Sequence, residues 1–283
     1  MFNTRGIGPK SMHRIYEGLR DNPSFKSEMI DKLTCSPPDS ELEERFRKLK
    51  DQNVHIIHLG SPLYPSRILE ILGKDAPPLL FCKGRLSLLK AKSIAIAGSR
   101  NASDKALQSA YHLAAQLALE GVNVVSGYAK GVDTKAHLGT LKAGGTTTVV
   151  LSYGIYQFHR KKVFDKTPWD GNVLIISQFP ERAKWSARNA MTRNKLICAL
   201  SMGVIIIEAK EGGGTFNTGL TALKLGIPLF ILSPSEFDLT PAGNIKLLEM
   251  GGREIRLKDG IREVLGGLDK SKREEPKQLL LPI

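Results

Sequence analysis

From residue 93 onward, short runs of apolar residues alternate with longer segments in which apolar and polar residues recur at helical spacing. The runs predict strands at residues 93–97, 122–126, 146–152, 172–178, 203–209, 228–232 and 253–257. The segments between them predict helices near residues 103–120, 133–143, 188–201, 216–225 and 243–250. Because most of these strands are apolar on both faces, we predict an α/β fold with a doubly wound, mostly parallel sheet covered by helices on both sides.

The first 90 residues follow no such pattern. Residues 1–50 are polar with helical spacing, and the turn Gly6-Ile-Gly-Pro-Lys10 precedes an amphipathic segment. A glycine turn of this kind either presents backbone N–H groups to a DNA phosphate or caps an ordinary helix. Prolines then interrupt the apolar pieces of residues 54–89. We predict a small helical accessory region at 1–50, a main domain at 51–266 and a disordered tail at 267–283.

The charge of the chain is concentrated in its middle third. The net charge is +13, and residues 90–200 hold 16 basic residues against 6 acidic ones, whereas residues 201–283 hold 11 of each. A concentrated basic region indicates a polyanionic partner, either nucleic acid or an acidic surface. A basic face that only keeps the protein in solution is the alternative.

Three cysteines, Cys35, Cys82 and Cys198, lie far apart with no C-x-x-C spacing. This spacing favours neither a disulfide framework nor a metal site, and we expect a reducing, cytoplasmic setting. No apolar run approaches the length of about 20 residues that a membrane helix needs, so we expect no membrane contact.

Functional residues are expected in the loops that follow the carboxyl ends of the parallel strands, because ligands bind there in a doubly wound sheet. Gly98, Ser99 and Arg100 directly follow the strand at 93–97. Gly98 permits a sharp turn, and the Arg100 guanidinium matches phosphate oxygens, with a surface ion pair as its alternative role. The sequence lacks both G-x-G-x-x-G and the P-loop motif, so we expect no nucleotide cofactor.

Two further loops place glycines at the start of a helix. The first runs from Ser126 to Asp133 and contains Lys130, and the second is Gly212-Gly-Gly-Thr215. Each is either an anion cradle made of backbone N–H groups or a flexible glycine loop. Asp133 is expected to stabilise its helix, and it pairs by spacing with His137, four residues later, in a structural or a catalytic hydrogen bond.

Residues 153–185 are rich in both cations and aromatic rings. They include Phe158, Arg160, Lys161, Lys162 and Trp169. Single-stranded nucleic acid is bound by cations along its backbone and by rings against its bases. Rings packed into the core beside solvated lysines are the alternative arrangement.

The order of these motifs resembles the DNA-processing protein A (DprA/Smf) family. The resemblance covers residues 55–255 and is carried by GSR, SGYAKGVDTKAH, RNKLICALS, EGGGTFNTGLTALKLGIPLFIL and PAGNIKLLEMGG. It implies an extended Rossmann-like domain that binds single-stranded DNA without catalysis, forms a homodimer and loads the RecA recombinase, as in natural transformation. It also implies that residues 1–50 correspond to a SAM-like or helix-hairpin-helix-like accessory region. Many members of the family end in a winged helix, but the short tail DKSKREEPKQLLLPI leads us to expect none here.

Carried over motif by motif, the resemblance implies that Arg100 grips a phosphate, that the SGYAKG loop lines the same pocket, and that Arg193 and Asn194 match the family's RN pair. The residues expected at DNA are Gly98, Ser99, Arg100, Ser126, Gly127, Lys130, Gly131, Phe158, Arg160, Lys161, Lys162, Arg193, Asn194, Gly213, Gly214 and Thr215. The run Phe158-His-Arg-Lys-Lys162 departs from the family's Tyr-Pro-x-x-Asn pattern, which leaves the local pocket shape open.

Two other function classes share this kind of fold. One is the lysine-decarboxylase-like phosphoribohydrolase family, whose G-G-x-G-T-x-x-E motif ends in a glutamate. Here Thr218 stands at that position, and glycosidic hydrolysis needs a carboxylate for acid–base help. The other is a domain that binds a small nucleotide and signals to partners.

Overall fold

The computed structural model of the chain describes residues 40–273. The turn at Gly6–Lys10 and the segment from residue 274 lie outside the described residues. The described residues form nine strands: β1 (Val54–His58), β2 (Leu79–Gly84), β3 (Ser93–Ala97), β4 (Asn123–Ser126), β5 (Thr147–Val150), β6 (Val173–Ser177), β7 (Gly203–Ile206), β8 (Leu229–Leu232) and β9 (Arg253–Ile255). The α-helices within residues 40–273 are α1 (Ser40–Asp51), α2 (Ser66–Leu72), α3 (Asp104–Leu119), α4 (Val132–Lys142), α5 (Ala187–Ala199), α6 (Gly214–Lys224), α7 (Ala242–Glu249) and α8 (Gly260–Arg273).

All nine strands form one sheet in the order β1-β2-β6-β5-β4-β3-β7-β8-β9. The strands from β6 to β9 in this order are mutually parallel, whereas β2 runs antiparallel to both of its neighbours, β1 and β6. The predicted α/β fold with a doubly wound, mostly parallel sheet is therefore confirmed.

Helices cover both faces of the sheet. On one face, α2, α5, α6 and α7 pack through residues such as Ile68, Ile197 and Leu247. On the other face, α3, α4 and α8 pack through residues such as Leu113 and Val264. Helices α3 and α4 touch at Gly139, where a Cβ would lie only 2.2 Å from the carbonyl oxygen of Tyr111. The close approach of these two helices therefore depends on a missing side chain.

A third cluster is formed by aromatic rings at the β4–β5–β6 side of the sheet. Phe164 and Trp169 are buried there, with their ring centroids 5.0 Å apart. The Tyr128 ring lies at 6.0 Å from that of Phe164 and at 5.2 Å from that of Phe158. The basic connection between β5 and β6 therefore puts these rings into a core, which was one of the two alternatives for the aromatic-rich segment.

The order of the strands creates a switch point beside β3. From β3 the chain proceeds through β4, β5 and β6 on one side, and then returns to pair β7 with the other side of β3. The loops that leave β3 and β7 diverge to opposite faces of the sheet. A doubly wound sheet opens a crevice at such a point, outside the carboxyl ends of the strands.

Some elements had no counterpart in the predicted pattern. Helix α8 continues to Arg273, past residue 266 at which we expected the main domain to end, and Leu268 within it is buried. Gly267 lies against Phe230 of β8, where a Cβ would be 3.1 Å from Cε1, so the glycine there allows α8 to pack closely on the sheet. Among the described helices, none is both long and apolar enough to cross a membrane.

Candidate functional site

A cleft of about 490 Å³ opens at the switch point beside β3. Its walls come from four segments that are distant in the sequence: the β3–α3 turn, the β4–α4 loop, the start of α5 and the start of α6. Nine of the residues expected at DNA line it, namely Gly98, Ser99, Arg100, Gly127, Arg193, Asn194, Gly213, Gly214 and Thr215. The structure therefore brings the four predicted loop motifs together in one place.

Glycines allow the first two segments to approach each other closely. A Cβ on Gly98 would lie 2.4 Å from Cγ2 of Val132, and a Cβ on Gly131, whose φ is +83°, would lie 2.4 Å from the carbonyl oxygen of Ser99. The Ser99 N–H donates to the carbonyl of Glu208 at 2.9 Å, which ties the turn to the end of β7. The turn is thus held from both sides, and Gly131 serves this close approach rather than lining the cleft.

Arg193 forms the floor of the cleft and is almost completely buried, at 8% exposure. Its Nη1 donates to the Val150 carbonyl at 2.5 Å, whereas its Nε is buried without a hydrogen-bond partner. Burial lowers the pKa of Arg193 and the nearby Asp133 opposes this shift, but a guanidinium keeps its charge because its ordinary pKa is so high. The floor therefore carries a desolvated positive charge with unused donor capacity.

Helix α6 begins at the cleft with no side chain capping it. Gly213 is the N-cap residue, and the first turn contains no acidic residue. The first N–H groups of a helix lack partners within the helix and carry its positive partial charge. With Lys210 at the same edge of the cleft, this helix start is suited to an anion such as a phosphate.

Arg100 and Trp185 stand together at the mouth of the cleft. Arg100 is exposed, and its Cζ lies 5.5 Å from the centroid of the Trp185 ring. No carboxylate pairs with Arg100 among the described residues, so the alternative role of Arg100 in a surface ion pair does not hold there. Trp185 was not among the expected site residues, although its position in the aromatic and basic segment was a usable signal.

His137 bonds to the β4–α4 loop from within the core. The spacing predicted a bond between His137 and Asp133, and the structure does not contain it. The ring is fully buried, with Nε2 donating to the Gly127 carbonyl at 2.6 Å and Nδ1 lying 2.7 Å from the Thr147 hydroxyl. Burial lowers the pKa of His137 to about 4, so the ring is neutral near pH 7. Asp133 instead accepts the Ala129 N–H at 3.2 Å and lines the cleft.

Lys161, expected at DNA, is used inside the protein. Its ammonium donates to the carbonyls of Tyr128 and Ala129, at 3.0 and 3.1 Å, and to the Thr134 hydroxyl at 2.8 Å. Burial lowers its pKa. Since all three donors of the ammonium are engaged, Lys161 holds the β4–α4 loop in place. Phe158, also expected at DNA, packs on the Tyr128 ring instead.

The remaining expected residues divide into one buried group and three exposed ones. The Ser126 hydroxyl is buried and donates to the Ile96 carbonyl at 2.6 Å, which is a structural bond within the sheet. Lys130, Arg160 and Lys162 are exposed, and Arg160 lies 3.8 Å from the Asp165 carboxylate.

In the part of the chain that the structure describes, no group of His, Cys, Asp or Glu side chains could hold a metal ion.

Known proteins resemble this chain over most of its length. The family model of the DNA recombination-mediator protein A matches residues 55–266. The DNA processing protein DprA of Bacillus subtilis is 30% identical over 253 residues, which cover 86% of this chain and 84% of that protein. The corresponding protein of Streptococcus pneumoniae is 33% identical over 218 residues, covering 77% and 74% of the two chains.

Two solved structures are similar over most of their length. The X-ray structure of DprA from Streptococcus pneumoniae superposes with a TM-score of 0.67 at 26% identity, covering 91% of this chain and 98% of that one. The DprA of Helicobacter pylori, whose structure describes a single-stranded DNA binding mode, superposes with a TM-score of 0.64 at 27% identity, covering 76% and 96%. The extended Rossmann-like fold is thereby confirmed, and the chain belongs to the DNA recombination-mediator protein A family, known as DprA or Smf.

Proposed function

We propose that this protein binds single-stranded DNA in the cleft beside β3 and acts without catalysis as a mediator that protects the strand and loads RecA. The observation that carries the proposal is the convergence of Arg100, the buried Arg193 and the uncapped start of α6 on one cleft. Three separate sources of positive potential face one space there, which suits the repeated phosphates of a nucleic-acid backbone.

A single strand fits the cleft better than a duplex does. The site is a recess of about 490 Å³ with an exposed aromatic ring, Trp185, at its mouth. Unpaired bases can turn toward such a ring, whereas the bases of a duplex are stacked on each other and paired. The recess therefore favours an unpaired strand whose phosphates enter while its bases remain accessible.

Exposed cations extend the positive surface away from the cleft. The Lys161 ammonium bonds to the carbonyl of Ala129, a residue that lines the cleft, and the side chains on either side of it in the sequence, Arg160 and Lys162, are exposed. Lys130 is exposed on the adjacent loop. We assign these three exposed side chains to backbone phosphates that continue outside the recess.

The finer parts of the proposal concern partners. The relative from Helicobacter pylori is described as binding single-stranded DNA, which supports the same ligand here. The exposed apolar side chains of Leu239, Ile245 and Met250, around α7 next to the edge strand β9, offer a surface for the expected homodimer. RecA loading and a cytoplasmic role in transformation rest on the family resemblance.

A competition experiment tests the proposed ligand. A labelled single strand bound to the protein should be displaced by unlabelled single-stranded DNA and much less well by duplex of the same length and sequence. Equal competition by duplex would contradict the proposal.

RecA loading is tested separately, by whether the protein speeds RecA filament formation on a strand already covered by a single-strand-binding protein.

The hydrolase alternative is tested with adenosine monophosphate. Thr218, which stands where a phosphoribohydrolase has glutamate, is buried and donates its hydroxyl to the Gly214 carbonyl at 3.1 Å. A threonine in this position offers no acid for glycosidic cleavage. Release of adenine at a steady rate would overturn the non-catalytic assignment, and tight calorimetric binding of a mononucleotide in preference to an oligonucleotide would favour the signalling class.

A further inference from the structure

We infer that Trp185 is the platform on which one unpaired base stacks while Arg100 holds a neighbouring phosphate. The inference rests on the proposed function and deepens it by assigning recognition of the base to a single side chain. It comes from three properties of Trp185: its exposure, the rigidity of the backbone that carries it, and its position over a cation.

The exposure of Trp185 is unusual for a tryptophan. Its side chain is 53% exposed, whereas Trp169, the other tryptophan of the chain, is 8% exposed in the aromatic core. An exposed indole forgoes the apolar burial that tryptophan would gain inside the protein. A ring left open at the mouth of a cationic cleft is suited to a flat apolar ligand surface such as a nucleobase.

The backbone on both sides of Trp185 is held in place. The Ala183 carbonyl accepts the Gly154 N–H at 2.8 Å. On the other side, Ser186 is the N-cap of α5, and its hydroxyl accepts the Asn189 N–H at 3.0 Å. Since the residues that flank the ring are already fixed, little backbone conformational entropy is lost when a base stacks on it.

The contact with Arg100 joins base recognition to phosphate recognition. The guanidinium lies 5.5 Å from the ring centroid, within cation–π range. The two groups are therefore spaced so that a phosphate on Arg100 leaves an adjacent base within reach of the indole. Met191, 42% exposed on the wall of the same cleft, adds an apolar surface beside the ring.

The inference is tested by comparing an oligothymidylate with an abasic oligomer that has the same number of phosphates. The wild-type protein should bind the thymidylate more tightly. Trp185→Ala should lower the affinity for the thymidylate by about 5- to 150-fold, the range of one base–aromatic stack. The same variant should leave the affinity for the abasic oligomer unchanged, because no base is present to lose.

Fluorescence gives a second readout. Base stacking should quench the emission of Trp185. Trp185→Phe should keep most of the affinity, because phenylalanine also offers a ring for stacking. The quenching should disappear in this variant, because its remaining tryptophan, Trp169, is buried. The matched control is Phe46→Ala, which removes an aromatic ring that is 57% exposed on α1 and does not line the cleft. This control should bind both oligomers as the wild type does.

These experiments distinguish a failure of the stacking role of Trp185 from a failure of the proposed binding of single-stranded DNA. Equal losses on the thymidylate and the abasic oligomer in Trp185→Ala would overturn the stacking role, since the ring would then act on the backbone or on the fold. Unchanged binding of both oligomers would overturn it as well. If the folded wild-type protein bound neither oligomer, the proposed function itself would fail.

Discussion

Gly127 leaves the space that the guanidinium of Arg193 occupies. A Cβ on Gly127 would lie 2.4 Å from Nη1 of Arg193 and 2.4 Å from Oδ2 of Asp133. The glycine after β4 is therefore needed for the charged floor of the cleft, which sits between the β4–α4 loop and α5. This relationship links a loop motif that is visible in the sequence to a buried arginine 66 residues later.

Gly127→Ala should displace Arg193 and weaken DNA binding. Contacts below 3.0 Å force either the side chain or the loop to move, and overpacking of this kind costs about 1–3 kcal/mol. Chemical denaturation should show a loss of stability in this range, and affinity for single-stranded DNA should fall with it.

The matched control is Gly266→Ala, at an exposed position of α8 where a Cβ would meet nothing within 4 Å. In a helix, alanine is more favourable than glycine by about 0.5–1 kcal/mol, so this variant should be slightly more stable and bind DNA normally. A stable Gly127→Ala protein with unchanged affinity would show that Arg193 is not held in the way described.

Lys161 and Lys162 should differ sharply although they are adjacent and chemically identical. Lys161→Met removes three donors from the carbonyls of Tyr128 and Ala129 and from the Thr134 hydroxyl. Leaving such acceptors unpaired costs about 1–3 kcal/mol, so thermal or chemical unfolding should show a clear loss of stability.

Lys162→Met, at an exposed site, should change the stability by less than about 0.5 kcal/mol and should weaken only DNA binding. The opposite pattern, a stable Lys161→Met protein and an unstable Lys162→Met protein, would contradict the assignment of Lys161 to holding the β4–α4 loop.

Acid should destabilise the protein through His137. Its pKa is lowered to about 4 in the folded state by burial, whereas an unfolded histidine titrates near 6.5. Between these two values the unfolded chain binds a proton that the folded chain does not, so stability falls as the pH drops from about 6.5 toward 4. The expected loss between pH 7 and pH 5 is about 2 kcal/mol.

The contribution of His137 is isolated by His137→Gln, which cannot titrate in this range. The variant should be less stable than the wild type at pH 7, because it changes the bonds to Gly127 and Thr147, but its stability should decline less between pH 7 and pH 5. Parallel pH profiles for the two proteins would show that His137 does not carry the acid sensitivity.

Much of the fold follows from local pattern, because strands buried on both faces must be apolar throughout. The predicted strands between residues 93 and 257 are all present; β3 has the predicted bounds, and each of the other six is one to three residues shorter than predicted. The convergence of the Arg100 turn with the Gly213–Thr215 loop also follows, since both leave the carboxyl ends of neighbouring parallel strands. Prolines obscured β1 and β2, whose pairing with each other and with β6 is a tertiary property.

The roles of individual side chains could not be predicted in the same way. Nothing in Lys161-Lys162 shows which ammonium is turned inward, because that depends on carbonyls of the β4–α4 loop. His137 was spaced to meet Asp133 on its own helix, yet it bonds across to Thr147 on β5. The aromatic and basic segment contains both Trp185 and Trp169, and its composition does not tell which of the two rings is exposed.

The most direct test of the central claim is the salt dependence of single-stranded DNA binding in Arg100→Ala and in Lys92→Ala. Each variant loses one exposed positive charge, but Lys92 precedes β3 at the opposite end of that strand. If the cleft grips phosphates, Arg100→Ala should reduce the log–log slope of the binding constant against salt concentration by about 0.7. Lys92→Ala should leave the slope unchanged, whereas an unchanged slope in Arg100→Ala, or equal changes in both variants, would contradict the account.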